Sequence, residues 1–249
     1  VGFVHGVMNT DNVAICGETL DYGPCAFMDR LAVNTVFSSI DANGRYAYGR
    51  QPQITHWNMA RFAEAMLPAI HSVDPADVDA AKALVDAIPA RSRAIWLDEM
   101  RAKLGLGQAD NADEQLIDSL FGELEQHSVD FTSFFRALAQ LLRGDGDMLQ
   151  SLLPDAEAMA PWIADWWAQL EREAIAPLER ADVMDAVNPL YIPRNHLVEA
   201  ALVAAEAGDM APWTELLEVV QNPYVERAEW VAFAQPAPID ADPYKTFCG

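Results

Sequence analysis

The sequence has few positive charges. Its 249 residues include 16 Lys and Arg against 38 Asp and Glu, which gives a formal net charge of −22 at pH 7. This average field repels a phosphate polyanion, so no nucleic acid partner is expected. The acidity itself is typical of a well-solvated surface.

Long apolar runs are missing too. No run approaches the roughly 20 residues that span a bilayer, so no membrane partner is expected. Hydrophobic residues still make up 51% of the chain at a mean hydropathy of −0.01. These values indicate a globular protein that buries a sizeable core.

Cysteine is also scarce. Cys16, Cys25 and Cys248 show no CxxC spacing, and their odd number argues against a disulfide framework. A reducing, intracellular setting fits this pattern best.

The texture of the chain changes after about fifty residues. Short β-type pieces at 1–4, 13–16 and 19–20 give way to helical periodicity, beginning with a helix capped by Thr55. The predicted fold is therefore mainly α, divided into residues 1–50 (the loop region), 51–235 (a helical body) and 236–249 (an extended tail). Further helices are predicted from Pro75 after an Asp74 cap, and at about 90–104, 112–126, 130–143, 154–173, 195–207 and 210–221.

A polar loop near the start carries the chemistry. Residues 13–20 read as a tight hairpin with Gly17 and Glu18 at its turn, which brings Asn12 close to Asp21 at the open end. An amide oxygen and a carboxylate are hard ligands suited to Mg²⁺. Asp11 points elsewhere and is left free to act on a substrate proton.

The spacing of this loop fits a kinase-type catalytic loop with one change. Asn12 follows His5 by seven residues, as in H-x-D-x-x-x-x-N, but Val7 replaces the early Asp and Asp11 stands beside the Asn instead. Asp21 then opens a D-Y-G where a D-F-G element would lie, and such loops hold metal with the Asn and the later Asp. The same polar run also suits an ordinary turn.

A family resemblance extends over the whole chain. The chain resembles the C-terminal half of the selenoprotein O (SelO) family in HGVMNTDN, DYGP nine residues after its second Asn, AFMD, GRYAYGRQP, the W-N-x-x-R-F-A-E-A helix and VNPLYIPRNHLVEAAL. The resemblance implies a kinase-like C-lobe. It also implies a protein adenylyltransferase that moves AMP from ATP, bound in a flipped orientation, onto Ser, Thr or Tyr hydroxyls of protein substrates.

The resemblance also implies residue roles. Asp11 would accept the hydroxyl proton, Asn12 and Asp21 would bind Mg²⁺ (or Mn²⁺), and Asp21 would lie close to the nucleotide phosphates. His5 would support the loop rather than react. Arg45 and Arg50 stay outside the predicted site, since loop arginines are more often simply solvated.

The chain departs from the family in two ways. Some members carry a Cys where Phe37 stands, able to pair with a C-terminal Cys, so that disulfide is not expected here. Cys248 is at best the counterpart of the selenocysteine in eukaryotic members. A glycine-rich nucleotide loop and a Lys–Glu pair, both upstream in the family, are not found. We therefore expect a fragment lacking the N-lobe that binds ATP poorly and is inactive alone.

Two alternatives to adenylyl transfer stay open. One is a kinase-like phosphotransferase, which would use the same loop and metal. The other is a non-catalytic helical interaction module with a vestigial Asp-Asn loop. The expected location is the bacterial cytoplasm, or the mitochondrion if the source is a eukaryote.

Overall fold

Helices dominate the fold. The computed structural model describes residues 1–18, 23, 25–69, 74–107, 109–155 and 157–247. In those ranges two short strands, β1 (Phe3–Val4) and β2 (Ala26–Phe27), form a two-stranded sheet. The α-helices are α1 (Gln51–Met66), α2 (Pro75–Asp86), α3 (Ile88–Leu104), α4 (Asn111–Gln126), α5 (Phe131–Leu142), α6 (Asp147–Leu152), α7 (Ala160–Leu170), α8 (Pro177–Val187), α9 (Asn195–Glu206), α10 (Ala211–Gln221) and α11 (Val231–Ala234). The mainly α prediction is confirmed, while the kinase-like C-lobe stays a prediction.

Most predicted helices are present within two residues at each end, but the first begins early. α1 starts at Gln51, and the Thr55 hydroxyl donates a hydrogen bond to the Gln51 carbonyl at 3.0 Å. Thr55 is therefore an internal residue that bonds back one turn, so its prediction as the cap is wrong. The cap before Pro75 is confirmed, because the Asp74 carboxylate accepts the Ala76 N–H.

The predicted helix over 154–173 is wrong in its first part. Leu153 is extended, as expected for a residue before proline, and it ends α6. α7 then begins only at Ala160, with a proline in its first turn. α8 was not predicted; it begins at Pro177 after an extended Ala176.

The predicted hairpin over 13–20 is also wrong in its described part. No strand occurs between Val13 and Glu18. The Gly17 N–H donates to the Ala14 carbonyl at 3.1 Å, so the turn centres on Ile15 and Cys16 instead of Gly17 and Glu18. The partner residues 19–22 lie outside the described residues.

The chain divides into two compact units. The helical unit comprises Val1–Gly2, Phe27–Ala32 and Leu97–Tyr244. The loop unit comprises Phe3–Ala26, Val33–Trp96 and Lys245–Gly249. Within the loop unit the tail is tied down at Thr246, which forms a parallel bridge with Ser38. The three-part division drawn from the sequence stays a prediction.

The core of the helical unit forms around α5. Its Phe131, Phe134 and Phe135 are essentially inaccessible to solvent and meet edge to face, the arrangement that aromatic rings prefer. The indoles of Trp162 and Trp166 complete this core, and each donates its ring N–H to a main-chain carbonyl at 3.0 Å. These contacts leave neither indole nitrogen unpaired.

A buried arginine lies at the centre of the helical unit. Arg194 has no solvent exposure, and its guanidinium donates to Asp29 at 2.6 Å and to both carboxylate oxygens of Asp130 at 2.6 and 3.0 Å. It also donates to the Ala234 carbonyl at 2.8 Å. Burial alone would lower the pKa of Arg194, but the two carboxylates outweigh that effect and raise it. Arg194 is therefore held fully charged.

Asn195, which follows Arg194, binds the same segment of chain that contains Asp29. The Asn195 side chain accepts the Phe27 N–H at 3.1 Å and donates to the Phe27 carbonyl at 2.8 Å. A side-chain amide thus pairs with one main-chain residue as a strand would. Asn195 and Arg194 together hold the segment Phe27–Ala32 in the helical unit.

The ammonium of one lysine, Lys103, is also buried in the helical unit. The Lys103 ammonium donates to the Asn188 side-chain oxygen at 2.7 Å and lies 4.0 Å from the centroid of the Phe135 ring. Asn188 returns a hydrogen bond to the Lys103 carbonyl at 2.8 Å. Burial of the ammonium lowers the pKa of Lys103 from 10.5 to about 8, although Glu99 acts in the opposite direction.

Replacing Arg194 should strongly destabilise the protein. Arg194→Met leaves the carboxylates of Asp29 and Asp130 without a counter-ion, a change that typically costs about 3–5 kcal/mol. Urea denaturation measures the loss. Arg172→Met is the matched control, because the Arg172 side chain is 58% exposed and its pair with Asp110 should contribute less than about 1 kcal/mol. Equal losses for the two variants would contradict the assigned role of Arg194.

The pKa of Lys103 predicts a dependence of stability on pH. Its folded pKa lies below the unfolded value, so the unfolded chain holds the extra proton between about pH 8 and 10.5. The contribution of Lys103 to the free energy of unfolding should therefore rise with pH across that window, by at most about 3 kcal/mol. Denaturation of wild type and Lys103→Met at several pH values measures the difference. The exposed lysine variant Lys82→Met is the control, and a wild-type-minus-variant difference that is flat for Lys103 would contradict the prediction.

Candidate active-site loop

The loop over residues 5–12 is shaped by its own sequence at both ends. Gly6 takes a φ of +85°, a left-handed conformation that favours glycine, two residues after Val4, the buried end of β1. Val7 turns inward, and Thr10–Asn12 then form a single turn of 3-10 helix. Main-chain groups of the intervening residues need partners elsewhere, because they belong to neither a strand nor a helix.

Gln51 supplies several of those partners. Its side-chain oxygen accepts the His5 N–H at 3.0 Å, and its side-chain nitrogen donates to the Phe3 carbonyl at 3.0 Å. The same nitrogen reaches the Tyr48 carbonyl at 3.5 Å. One amide in the first turn of α1 therefore holds the entry to the loop.

Two further side chains hold the middle of the loop. Asn58 is buried and donates to the Met8 carbonyl at 3.1 Å. The Tyr46 hydroxyl donates to the Asn9 side-chain oxygen at 2.5 Å. Tyr46 is itself placed by Asp41, whose carboxylate accepts the Tyr46 N–H at 2.8 Å.

Apolar packing completes this support. Val7, Tyr46 and Ile54 form a small buried cluster, with Met8 packed against it. Gln51, Ile54 and Asn58 are three and four residues apart, so they lie on one face of α1. That face supports the loop, and the sequence analysis missed it. The signal was present as two amides seven residues apart with an isoleucine between them.

His5 takes a supporting position. Its ring nitrogen Nδ1 accepts the Val7 N–H at 3.4 Å, and the ring meets Phe3 edge to face with 6.3 Å between centroids. His5 therefore contacts the loop itself, at Val7, and strand β1, at Phe3.

Asp11 and Asn12 are presented to solvent on the 3-10 turn. Successive residues of a 3-10 helix point about 120° apart, so the two side chains face different directions. The Asn12 side-chain nitrogen donates to the Val7 carbonyl at 3.2 Å, and its oxygen has no partner among the described residues. The Asp11 carboxylate is exposed and likewise has no hydrogen bond or ion pair within the described ranges.

These groups suit a hard cation in chemical type. The Asn12 amide oxygen, which has no partner among the described residues, is of the type of oxygen ligand that Mg²⁺ prefers. Asp21 and Tyr22 lie outside the described residues, as does Cys248, so the predicted pairing of Asn12 with Asp21 stays a prediction. The described part of the chain contains no group of three or more His, Cys, Asp or Glu placed to hold a metal.

Two further features concern the cysteines and the possibility of a membrane-spanning helix. Among the described residues Cys16 is an exposed free thiol, and Cys25 is half-buried. Within the same ranges, each helix is too short or too polar to cross a bilayer.

Comparison with known proteins agrees with the resemblance drawn from the motifs. A sequence model of the family described as protein adenylyltransferase SelO matches residues 1–221. Three relatives share the name protein nucleotidyltransferase YdiU. The protein from Sphingopyxis alaskensis is 74% identical over 249 residues, all of this chain and 51% of the relative. Those from Chromobacterium violaceum and Mycolicibacterium smegmatis are 49% and 50% identical, and all of this chain covers 52% and 49% of their lengths. The chain thus spans about half the length of the curated relatives it matches.

Loss of the Gln51 amide should loosen the loop. Gln51→Leu removes the hydrogen bonds to the main chain of Phe3 and His5, and the His5 N–H should exchange with solvent about tenfold faster, the factor for roughly 1.4 kcal/mol. Hydrogen exchange of backbone amides measures the effect. Gln53→Leu is the control, since Gln53 is exposed in the same turn. Unchanged exchange at His5 would show that Gln51 does not hold the loop.

Proposed function

The chain belongs to the SelO family, and from that membership we propose that the protein it forms part of transfers AMP from ATP to hydroxyl groups of Ser, Thr or Tyr in other proteins. One observation supports assigning the base in this reaction to a particular residue. Asp11 offers an exposed carboxylate, free of any partner among the described residues, on a loop that buried side chains hold in place.

In the proposed reaction Asp11 acts as general base. The acceptor hydroxyl oxygen forms a bond to the α-phosphorus of ATP while the bond from that phosphorus to the bridging oxygen breaks. Pyrophosphate leaves with the bonding electrons, and the hydroxyl proton passes to the Asp11 carboxylate. Positioned general bases typically contribute about 10²–10⁴ in rate.

We assign the metal to the oxygens beside this base. Asn12 would hold Mg²⁺ through its side-chain oxygen, together with Asp21, and Mn²⁺ has the same ligand preference. The cation would supply neutralisation of the negative charge on the phosphates. The hydrogen bond from the Asn12 nitrogen to the Val7 carbonyl orients the amide, so its oxygen is the atom left to bind.

About half of each relative's length has no counterpart in this chain, and the proposal has to account for that half. The parts that bind the nucleotide in a kinase-like site include a Lys–Glu pair and a covering loop. We propose that these lie outside this chain and that the chain alone is inactive. Tests of transfer therefore need the full-length protein.

Labelled ATP distinguishes adenylyl from phosphoryl transfer. Full-length protein incubated with an acceptor protein should transfer label from α-labelled ATP and none from γ-labelled ATP. Label carried only from the γ position would overturn the proposal in favour of a kinase. No transfer of either label with several acceptors would favour a non-catalytic module.

Removing the base should slow transfer strongly without unfolding the protein. Asp11→Asn is expected to lower kcat by about 10²–10⁴ and to leave the melting temperature unchanged, because the carboxylate is exposed and makes no hydrogen bond or ion pair with the described residues. Asp79→Asn removes an equal charge from an exposed position on α2 and serves as the control. Transfer at wild-type rate by Asp11→Asn would exclude Asp11 as the base.

A further inference from the structure

One stretch of the loop unit carries more positive than negative charges, unlike the chain as a whole. Residues 33–69 hold three arginines and two acids, whereas the whole chain carries a net charge of −22. The arginines are Arg45, Arg50 and Arg61. A local excess of positive charge in so acidic a protein attracts anions to one place on its surface.

The two acids of this stretch are engaged by other groups. The Asp41 carboxylate accepts the N–H groups of Arg45 and Tyr46 at 2.7 and 2.8 Å. Glu64 pairs with Arg61 at 2.5 Å, three residues along α1. Arg45 and Arg50 therefore have no carboxylate partner among the described residues.

Both guanidinium groups are nevertheless held in place by other contacts. The Arg45 guanidinium lies over the Trp57 ring at 5.0 Å and the Tyr46 ring at 5.7 Å from their centroids. The Arg50 side chain donates to the carbonyls of Asn43 and Gly44 at 3.3 and 3.1 Å. Stacking on a ring leaves the N–H edge of a guanidinium available to a planar anion.

The two arginines line one open pocket of about 420 Å³, together with Asn43, Gln53 and Ile54. Ile54 also packs against Val7 of the active-site loop. The pocket therefore adjoins the structure that supports the loop. Two arginine forks with two amides match carboxylates, each of which takes a pair of parallel N–H bonds.

We propose that this pocket binds acidic side chains of the protein that receives AMP, at positions near the acceptor hydroxyl in its sequence. The proposal rests on the proposed function, since it names a preference of the same site for its protein substrate. The Tyr46 hydroxyl holds Asn9, two residues before Asp11, and the Arg45 guanidinium lies over that tyrosine ring. An extended peptide covers about 3.3 Å per residue, so a few residues bridge loop and pocket.

A binding measurement tests the pocket without any transfer. The probes are two fluorescent Ser-containing peptides that differ only in having Glu or Gln beside the Ser, titrated with full-length protein in low salt. Wild type should bind the Glu peptide at least tenfold more tightly. The double variant Arg45→Gln/Arg50→Gln should lose that preference. The double variant Lys82→Gln/Arg91→Gln removes two exposed positive charges from the same unit and should keep it.

The single variant Arg50→Gln guards against a folding defect, because Arg50 is exposed and contacts only loop carbonyls among the described residues. It should reduce the preference for the Glu peptide at least threefold. Equal loss in the Lys82 and Arg91 control, or no preference in wild type, would overturn the proposal.

Transfer kinetics separate this proposal from the proposed function. The Arg45 and Arg50 double variant should raise KM for the Glu peptide about tenfold, with KM for ATP and kcat unchanged. A raised KM for ATP would place the arginines on the nucleotide and overturn the proposal. If wild type transfers no AMP, the proposed function fails, and the binding preference alone then decides whether the pocket selects acidic peptides.

Discussion

The helical unit depends on the neutralisation of two carboxylates by one guanidinium. Asp29, Asp130 and the Ala234 carbonyl come from three separate segments, and each accepts a hydrogen bond from Arg194. A guanidinium presents its donors in a rigid planar fork, so the three segments meet in one arrangement. Hydrophobic packing around α5 buries apolar surface area, but apolar contacts alone are compatible with several alignments of the helices. The ion cluster selects among them, because any other register would leave a buried charge unpaired.

The loop unit follows the same logic with neutral groups. Gln51, Asn58 and Tyr46 satisfy polar groups along the loop, so the Asp11 carboxylate is not needed to hold its shape. A site whose reactive groups carry no structural duty can present them to a substrate in a fixed geometry. The surrounding side chains thus support the loop, while the proposed base Asp11 has no part in that support; Asn12 differs, because its nitrogen bonds to the Val7 carbonyl.

Sequence reasoning succeeded where a signal was local. The Asp74 cap was found because it depends on neighbours in sequence, and the SelO family was found from short motifs. Helical periodicity failed over 154–173, because the extended Leu153 before Pro154 ends α6 and the next helix begins only at Ala160. Arg194 had no local signal at all, since its carboxylate partners lie 165 and 64 residues away in sequence. The predicted hairpin failed because the turn closes between Ala14 and Gly17, two residues earlier than the Gly-Glu pair that local turn propensity favours.

The long sequence separation of Arg194 from its partners also governs when the helical unit can form during translation. Asp29 is synthesised 165 residues before the arginine that neutralises it. At about 5–20 residues per second, that interval lasts roughly 8–33 s. Throughout it the Asp29 carboxylate has no counter-ion, and Asp130 shares that state for the last 64 residues, so the segment Phe27–Ala32 must stay hydrated even after α5 is made. The ribosome therefore completes most of the helices before the ion cluster that aligns them exists.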